Sequence, residues 1–187
     1  CICLSGRWSV GPVLIRIPTR FFMKRVTNFD GFVAAVVRSG SLNMPEFPAL
    51  LDRSTQSGKV YFAFEYLKDA HNLPHFTAPG ALLEMPLTLL ICRNIAVALR
   101  NAWDRERMIH QNLIPHNLRV KDDWSVRLTN MGLSPYLLAD QALLDHGFNI
   151  WDYRYMSPEF LEEGQASTPT VDIYALGGVL HLLNTGH

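Results

Sequence analysis

Two short segments of this sequence bring together amide and imidazole side chains that could do chemistry. The first, residues 110–117, reads HQNLIPHN, and the second begins at Asn130 and reads NMG. The polar side chains within them include the primary amides of Asn112, Asn117 and Asn130. A primary amide does not titrate near neutral pH and so cannot act as a general base, and its oxygen binds a hard dication less well than a carboxylate. Taken alone, Asn112 and Asn130 are typical of turns.

Regular hydrophobic patterns predict the elements that must position these segments. Strands are predicted from β-branched and aromatic runs, and helices from apolar positions that recur with a period near 3.6. Segment 110–117 follows the longest predicted helix, and a small hairpin separates it from Asn130. The last predicted helix is apolar nearly all round, which predicts a central buried position. The predicted strands span 13–17, 59–66, 118–120 and 126–128, with a polar turn at 53–58, a long loop at 132–158 and helices at 29–37, 86–105 and 171–183.

Composition narrows the class of protein. Of 187 residues, 48% are hydrophobic and 18% are charged, which predicts a globular chain with a sizeable core. Lys plus Arg and Asp plus Glu are equal at 17 each, so we expect no nucleic-acid partner. No apolar stretch reaches the roughly 20 residues of a membrane-spanning helix, so we expect no membrane segment. Cys1, Cys3 and Cys92 lack metal-ligand spacing and are odd in number, which favours a reducing, cytoplasmic setting.

Six short motifs, taken in their order along the chain, resemble those of protein kinases, and of bacterial-type Ser/Thr kinases in particular. Residues 110–117 resemble the catalytic loop, H-R-D-L-x-x-x-N, and the NMG segment takes the place of the metal-binding D-F-G. The resemblance covers nearly the whole chain. The other four motifs are LNMPEF at 42–47 after helix C, EYL at 65–67 in the hinge, YMSPE at 155–159 in the A-P-E motif and DIYALG at 172–177 in the central helix.

The resemblance implies an α+β, protein-kinase-like two-lobe fold that is truncated. Residues 1–66 would form a partial N-lobe, rich in β-structure with one helix and without the Gly-rich loop. Residues 67–187 would form a partial, mainly helical C-lobe that stops after the central helix. In the family further helices wrap that helix, so its apolar side is expected to be only partly covered here. The residues of that side are Ile173, Leu176, Val179, Leu180 and Leu183.

The catalytic positions implied by the resemblance are replaced. Asn112 stands at the catalytic base and Asn130 at the metal-binding Asp, while Ile114 replaces the Lys that steadies the transferred phosphate. Gln111 replaces the Arg that reads activation-loop phosphorylation. Asn117, normally a second metal ligand, is kept. The resemblance therefore implies a defective catalytic site, with weak metal binding at most through Asn117 and Asn130.

The nucleotide side of the implied site is altered in the same way. Arg16 stands at the phosphate-contacting Lys, and Ala35 stands where helix C should carry the paired Glu, so that ion pair cannot form. Leu14 replaces a small residue of the adenine pocket, and Arg119 replaces an apolar residue beneath the base. We therefore expect no cofactor, with Mg-ATP bound at most weakly. The hinge positions of the same site are Glu65 and Leu67.

Five further positions have structural roles in the family. His110 is expected to pack in the core beside Met131, without a role in proton transfer. In the family, the residue at the position of Asp172 holds the backbone of the catalytic loop. Alternatively, Asp172 could simply stabilise the start of its helix, because a negative charge there interacts favourably with the helix dipole. Glu159 normally pairs with an Arg far downstream. The fifth position is Gly132 of the NMG segment.

Three functions remain open on the sequence alone. The first is a catalytically defective, pseudokinase-type module that binds or regulates a protein partner through helix C, the hinge or the 132–158 loop. The alternative is a weak or atypical Ser/Thr kinase that transfers phosphate from ATP with Asn117, Arg16 and a carboxylate from Asp122 or Asp123. The third is a gene fragment without activity of its own.

Overall fold

The N-terminal part of the chain is built on an antiparallel sheet. A computed structural model describes residues 2–8, 11–26, 28–56, 59–77, 82–138, 150–163 and 168–187. Among these residues the sheet has four strands in the order β1-β2-β4-β3, so β3 lies at an edge and β2 lies inside. Arg16 of the second strand pairs with Phe62 of the fourth, which places Arg16 within the sheet. The strands are β1 (Ile2–Trp8), β2 (Gly11–Ile17), β3 (Leu50–Gln56) and β4 (Lys59–Glu65).

Two helices follow β2, and both begin at a capping residue. The short helix α1 (Arg20–Arg25) starts after Thr19, and α2 (Phe29–Gly40) starts after Asn28. The side-chain oxygen of each cap accepts a backbone N–H from the next turn, at 3.2 Å for Thr19 and 2.8 Å for Asn28. The sequence analysis predicted α2 but not α1.

Aromatic side chains join these helices to the sheet. Phe32 of α2 is buried and meets Phe22 of α1 and Phe62 of β4 edge-on, with ring centroids 4.9 and 5.9 Å apart. Each such pair contributes about 0.5–1.5 kcal/mol beyond the area that it buries. Leu133, from a later segment of the chain, joins the same cluster. The cluster therefore connects α1 and α2 to the region of the NMG segment.

The rest of the chain packs around two long helices, α3 (Met85–Glu106) and α6 (Thr170–Thr185). Ile91 and Ile95 of α3 and Val179 and Leu183 of α6 are buried in the same core. A sheet of three strands, in the order β5-β6-β7, lies beside them. Within the described residues, no helix is long and apolar enough to cross a membrane. In chain order the elements are β5 (Ala70–Asn72), α3 (Met85–Glu106), β6 (Leu118–Lys121), β7 (Val126–Leu128), α4 (Ser134–Leu138), α5 (Pro158–Glu163) and α6 (Thr170–Thr185), with 3-10 turns at Leu73–Thr77, Pro115–Asn117 and Ile150–Tyr155.

The structure confirms the predicted helices and strands to within a few residues and corrects three other expectations. The polar run from Arg53 to Gln56 continues β3 and is not a turn, while residues 57–58 lie outside the described part. The 132–158 loop contains α4 and a 3-10 turn, and residues 139–149 lie outside the described part. The last helix, α6, is not buried all round, because only one side of it packs against α3 and its neighbours. Ile173 on its other side is 60% exposed, in line with the partial cover that the resemblance implied, whereas Val179 and Leu183, which were expected on the same partly covered side, are fully buried.

Two helical glycines give a matched test of how α2 packs on the sheet. A Cβ at Gly40 lies 2.3 Å from the Cβ of Leu50, whereas a Cβ at Gly177 in α6 meets nothing within 4 Å outside its own helix. Gly177→Ala is expected to stabilise the protein by about 0.5–1 kcal/mol through helix propensity. Gly40→Ala is expected to destabilise it by roughly 1–3 kcal/mol, because the new methyl group forces α2 away from β3. Urea unfolding measures both changes, and a stabilising effect of both would show that α2 does not press on β3.

Candidate functional site

A cavity of about 620 Å³ lies between the N-terminal sheet and the segments around β6 and β7. This volume is typical of sites for small molecules. Leu14 and Arg16 reach the cavity from β2, and Arg119 reaches it from β6. Glu65, the last residue of β4, and Leu67, which follows that strand, also line it. The structure thus brings together residues that the sequence assigned to the hinge, the nucleotide side and the catalytic loop. The lining residues from the two polar segments are Asn112, Ile114, Asn117, Asn130 and Met131.

A chain of hydrogen bonds connects β2 to both polar segments. The guanidinium of Arg16 donates from Nη1 to Oδ1 of Asn130. Nδ2 of Asn130 donates to Oδ1 of Asn117 at 2.7 Å, and Nδ2 of Asn117 donates to the backbone carbonyl of Asn112 at 2.8 Å. Because a guanidinium has donors only, it fixes the oxygen of Asn130 toward itself and turns the NH₂ group toward Asn117. Each amide therefore accepts one bond and donates the next.

These bonds bear on the metal site that the kinase resemblance implies. The Oδ1 atoms of Asn117 and Asn130 both accept hydrogen bonds within the protein, and the cationic Arg16 touches one of them. A divalent cation would have to displace these donors and lie beside a positive charge. Among the residues that the structure describes, no group of three or more His, Cys, Asp or Glu side chains could hold a metal. The residues present do not fit a Mg²⁺ ion.

Several predicted positions lie away from the cavity. Ala35 does not line it and packs instead against the aromatic cluster around Phe32. Asp122 and Asp123 are outside the lining as well, and Asp122 lies 3.5 Å from Nε2 of His71. The structure therefore does not bring either carboxylate into the lining beside Asn117 and Arg16. Glu159 is exposed on α5.

The buried carboxylate of Asp172 holds the backbone of the first polar segment. Its Oδ2 accepts the N–H of His110 at 2.7 Å, and its Oδ1 accepts the N–H of Gln111 at 2.8 Å. Gln111 has a φ of 60°, a left-handed conformation that costs energy for a residue other than glycine. The hydroxyl of Ser134 also donates to the Gln111 carbonyl, at 2.6 Å. Helix α6 and the start of α4 therefore fix the conformation of this loop together.

The NMG segment is held against the same loop. Gly132 has a φ of 69°, and its N–H donates to the carbonyl of His110 at 2.7 Å. The His110 side chain is fully buried, as is nearly all of Met131. Nδ1 of His110 accepts the N–H of Asn112 at 3.2 Å, which keeps that nitrogen unprotonated. The two polar segments therefore form one hydrogen-bonded unit.

Burial shifts the pKa of both titratable groups in this unit. Burial lowers the pKa of His110 from 6.5 to about 3, because the charged imidazolium would lose its hydration. Burial raises the pKa of Asp172 from 3.8 to about 6, against the opposing effect of its hydrogen bonds from His110 and Gln111. Both groups lie outside the cavity lining, so their charges act on the stability of the loop.

The sequence analysis missed the aromatic part of the cavity. Phe22, Phe32, Phe62 and Phe64 line it, and they come from α1, α2 and β4. Two signals pointed to them. Thr19 ahead of an apolar run is typical of a helix cap, and residues two apart on a strand, such as Phe62 and Phe64, share one face.

The chain is similar in sequence to known protein kinases. A family model described as the protein kinase domain matches residues 37–187. Receptor like protein kinase S.2 of Arabidopsis thaliana is 28% identical, over 83% of this chain and 19% of that protein. Serine/threonine-protein kinase PrkC of Bacillus subtilis is 28% identical, over 79% of this chain and 22% of that protein. 3-phosphoinositide-dependent protein kinase 1 of Rattus norvegicus is 27% identical, over 78% of this chain and 25% of that protein. The chain spans about a quarter or less of the length of these relatives.

The two shifted pKa values predict opposite effects of pH on stability. Unfolded His110 binds a proton that the folded protein rejects, so stability is lost as pH falls from 6.5 toward about 3. Folded Asp172 binds a proton that the unfolded chain releases, so its contribution is lost as pH rises from 3.8 to about 6. Asp172→Asn removes only the second effect. The free energy of unfolding of this variant should therefore rise more steeply with pH, between about 4 and 6, than that of the wild type.

Urea unfolding at several pH values in that window measures the slopes. Asp172→Asn is also expected to be less stable throughout, by about 1–3 kcal/mol, since an amide NH₂ would face a backbone N–H. Asp104→Asn, on an exposed position of α3, is the control and should keep the wild-type slope. Parallel curves for Asp172→Asn and the wild type would show that the Asp172 carboxyl does not retain its proton on folding in this range.

Proposed function

Because this chain belongs to the protein kinase family, we propose that it is a catalytically defective kinase-like module that acts by binding or regulating a protein partner. The hydrogen-bond chain from Arg16 to the Asn112 carbonyl is the observation that supports this proposal most directly. In active kinases the corresponding groups hold Mg²⁺ and phosphate. Here their donors and acceptors bond to one another.

The described residues of the cavity lining also do not include a well-placed general base. A base must lie within hydrogen-bond reach of the hydroxyl proton that it removes. The amide of Asn112 cannot accept that proton near neutral pH. Among the described residues that line the cavity, Glu65 is the only carboxylate, and it belongs to β4 and not to either polar segment. Phosphate transfer to a hydroxyl is therefore proposed to be absent.

The charges of the cavity argue against tight binding of Mg-ATP. A triphosphate carries several negative charges, which kinases offset with Mg²⁺ and a lysine. In this chain Arg16 already bonds to Asn130, and the asparagine oxygens that would face a metal are engaged. Leu14 and Arg119 add bulk and charge to the lining. We therefore propose that Mg-ATP binds weakly at most.

The exposed side of α6 supports the part of the proposal that concerns a protein partner. Ile173 is 60% exposed and Tyr174 is 48% exposed. A groove of about 480 Å³ lies between these residues and Tyr155. Exposed apolar patches beside grooves are typical of interaction sites. This side of α6 is therefore a candidate contact surface for a protein.

Restoring single carboxylates is expected to leave phosphate transfer undetectable. Asn112→Asp supplies a base but no metal ligand. Asn130→Asp places a carboxylate against Arg16, which would bind it as an ion pair, and removes the NH₂ donor to Asn117. A general base contributes ~10²- to 10⁴-fold only within an otherwise assembled site. Transfer of labelled γ-phosphate from ATP measures activity in the wild type, both single variants and the double variant.

Asn43→Asp, on an exposed turn outside the cavity, is the matched control for the added charge. Thermal unfolding with millimolar Mg-ATP, with and without a chelator, reports binding separately, since a ligand stabilises by RT ln(1 + [L]/Kd). We expect no saturable, Mg²⁺-dependent stabilisation of the wild type. Activity in the wild type or in either single variant would contradict the proposed loss of catalysis.

The exposed side of α6 is expected to make the purified chain self-associate as its concentration rises, because apolar patches bind one another when no partner covers them. Ile173→Glu should weaken this association, and Leu89→Glu, at an exposed position of α3, should not. Sedimentation velocity at several concentrations measures the effect. If both variants behave as the wild type, the proposed contact surface is not on α6.

A further inference from the structure

Two arginines face each other on the small sheet. Arg119 of β6 pairs in register with Arg127 of β7, and Asn72 of β5 pairs with Arg119 from the other side. Side chains directly opposite each other on antiparallel strands lie about 5 Å apart at Cβ, and like charges there are destabilising. In the part of the chain that the structure describes, neither arginine makes a side-chain hydrogen bond or an ion pair. Nε of Arg127 is buried without a partner.

Arg119 also lines the 620 Å³ cavity, most of whose other lining side chains are apolar. The charged side chains of the described lining are Arg16, Glu65 and Arg119. Arg16 bonds to Asn130 and lies over the ring of Phe64, 5.2 Å from its centroid. Arg119 is thus a cation beside an apolar space, with a second cation across the strand pair. A buried or half-buried cation without a counter-charge is unfavourable, and a bound anion would relieve this.

We propose that the cavity binds an apolar monoanion, an organic molecule with one carboxylate or sulfonate group, whose anionic group lies on Arg119. Arg127 strengthens the positive potential at that point. The apolar body of the ligand packs among phenylalanines such as Phe22, Phe32 and Phe62. A neutral molecule would leave Arg119 uncompensated, and a triphosphate would need the metal that Asn117 and Asn130 do not accommodate. The inference rests on the proposed function in one respect, that Mg-ATP does not occupy the cavity.

Two dyes with the same ring system test this proposal. Anilinonaphthalene sulfonate is an apolar monoanion, and phenylnaphthylamine is its uncharged counterpart. Fluorescence titration of the wild type should show one saturable site for the sulfonate. Arg119→Met should weaken sulfonate binding by about 10- to 100-fold, because a charge-assisted contact is lost, and should change binding of the uncharged dye little. Arg119→Lys keeps the charge and should retain most of the affinity.

Controls separate the cavity from other surfaces. Arg100→Met, at an exposed position of α3, removes a positive charge that does not line the cavity and should leave both dyes unaffected. Ile173→Glu changes the apolar side of α6 and should not lower sulfonate affinity for the cavity. The inference is overturned if Arg119→Met leaves sulfonate affinity unchanged, if it weakens both dyes equally, or if Ile173→Glu removes the saturable site. Thermal melts confirm that each variant is folded before titration.

The outcome is independent of the test of catalysis. Displacement of the sulfonate dye by Mg-ATP, lost when a chelator is added, would contradict the proposed function. Sulfonate binding that depends on Arg119 supports the present inference whether or not phosphate transfer is found. Sulfonate binding that does not depend on Arg119 overturns the present inference and leaves the proposed function unaffected.

Discussion

The bonds from the backbone N–H groups of His110 and Gln111 to the buried carboxylate of Asp172 are the constraint on which the rest of the site depends. They hold Gln111 in a left-handed backbone conformation, which is unfavourable for a residue other than glycine. The fixed loop then presents Asn112 and Asn117 to the cavity, and Asn117 anchors the asparagine that receives Arg16. Asp172 of α6 thus helps to position the asparagines that bond to Arg16 of β2.

This kinase-family chain encloses a cavity, and we propose that the polar chemistry within it differs from that of active kinases. The shape of the cavity depends on strand pairing and apolar packing. The chemistry depends on a few side chains, and these can change while the core stays intact. This separation explains why the match to the protein kinase domain shows the family and leaves activity to be decided from the site itself.

The sequence predicted the three long helices, four of the strands and the polar residues that meet at the cavity, because hydrophobic period and motif order carry that information, but it did not predict the phenylalanines of the lining. It could not predict that Arg16 bonds to Asn130, since the direction of a side chain depends on packing between distant segments. The polar run at Arg53 was misread as a turn, because an edge strand exposed to water can carry polar residues. The pattern of α6 could not show which of its apolar residues are covered, because a helix that is apolar nearly all round does not indicate a side; the kinase resemblance implied partial cover, which holds for Ile173 but not for Val179 or Leu183.

The distance along the chain between Asp172 and the loop that it holds has a consequence for folding. The partners are 62 and 61 residues apart in sequence, and Arg16 and Asn130 are 114 apart. Such contacts raise the contact order, and proteins rich in them fold slowly, because distant parts of the chain must meet before the contact repays the lost entropy. At roughly 5–20 residues per second, a ribosome needs several seconds to deliver α6 after the loop. During that interval the N–H groups of His110 and Gln111 bond to water, and the contacts that fix the loop can form only after synthesis has passed Asp172.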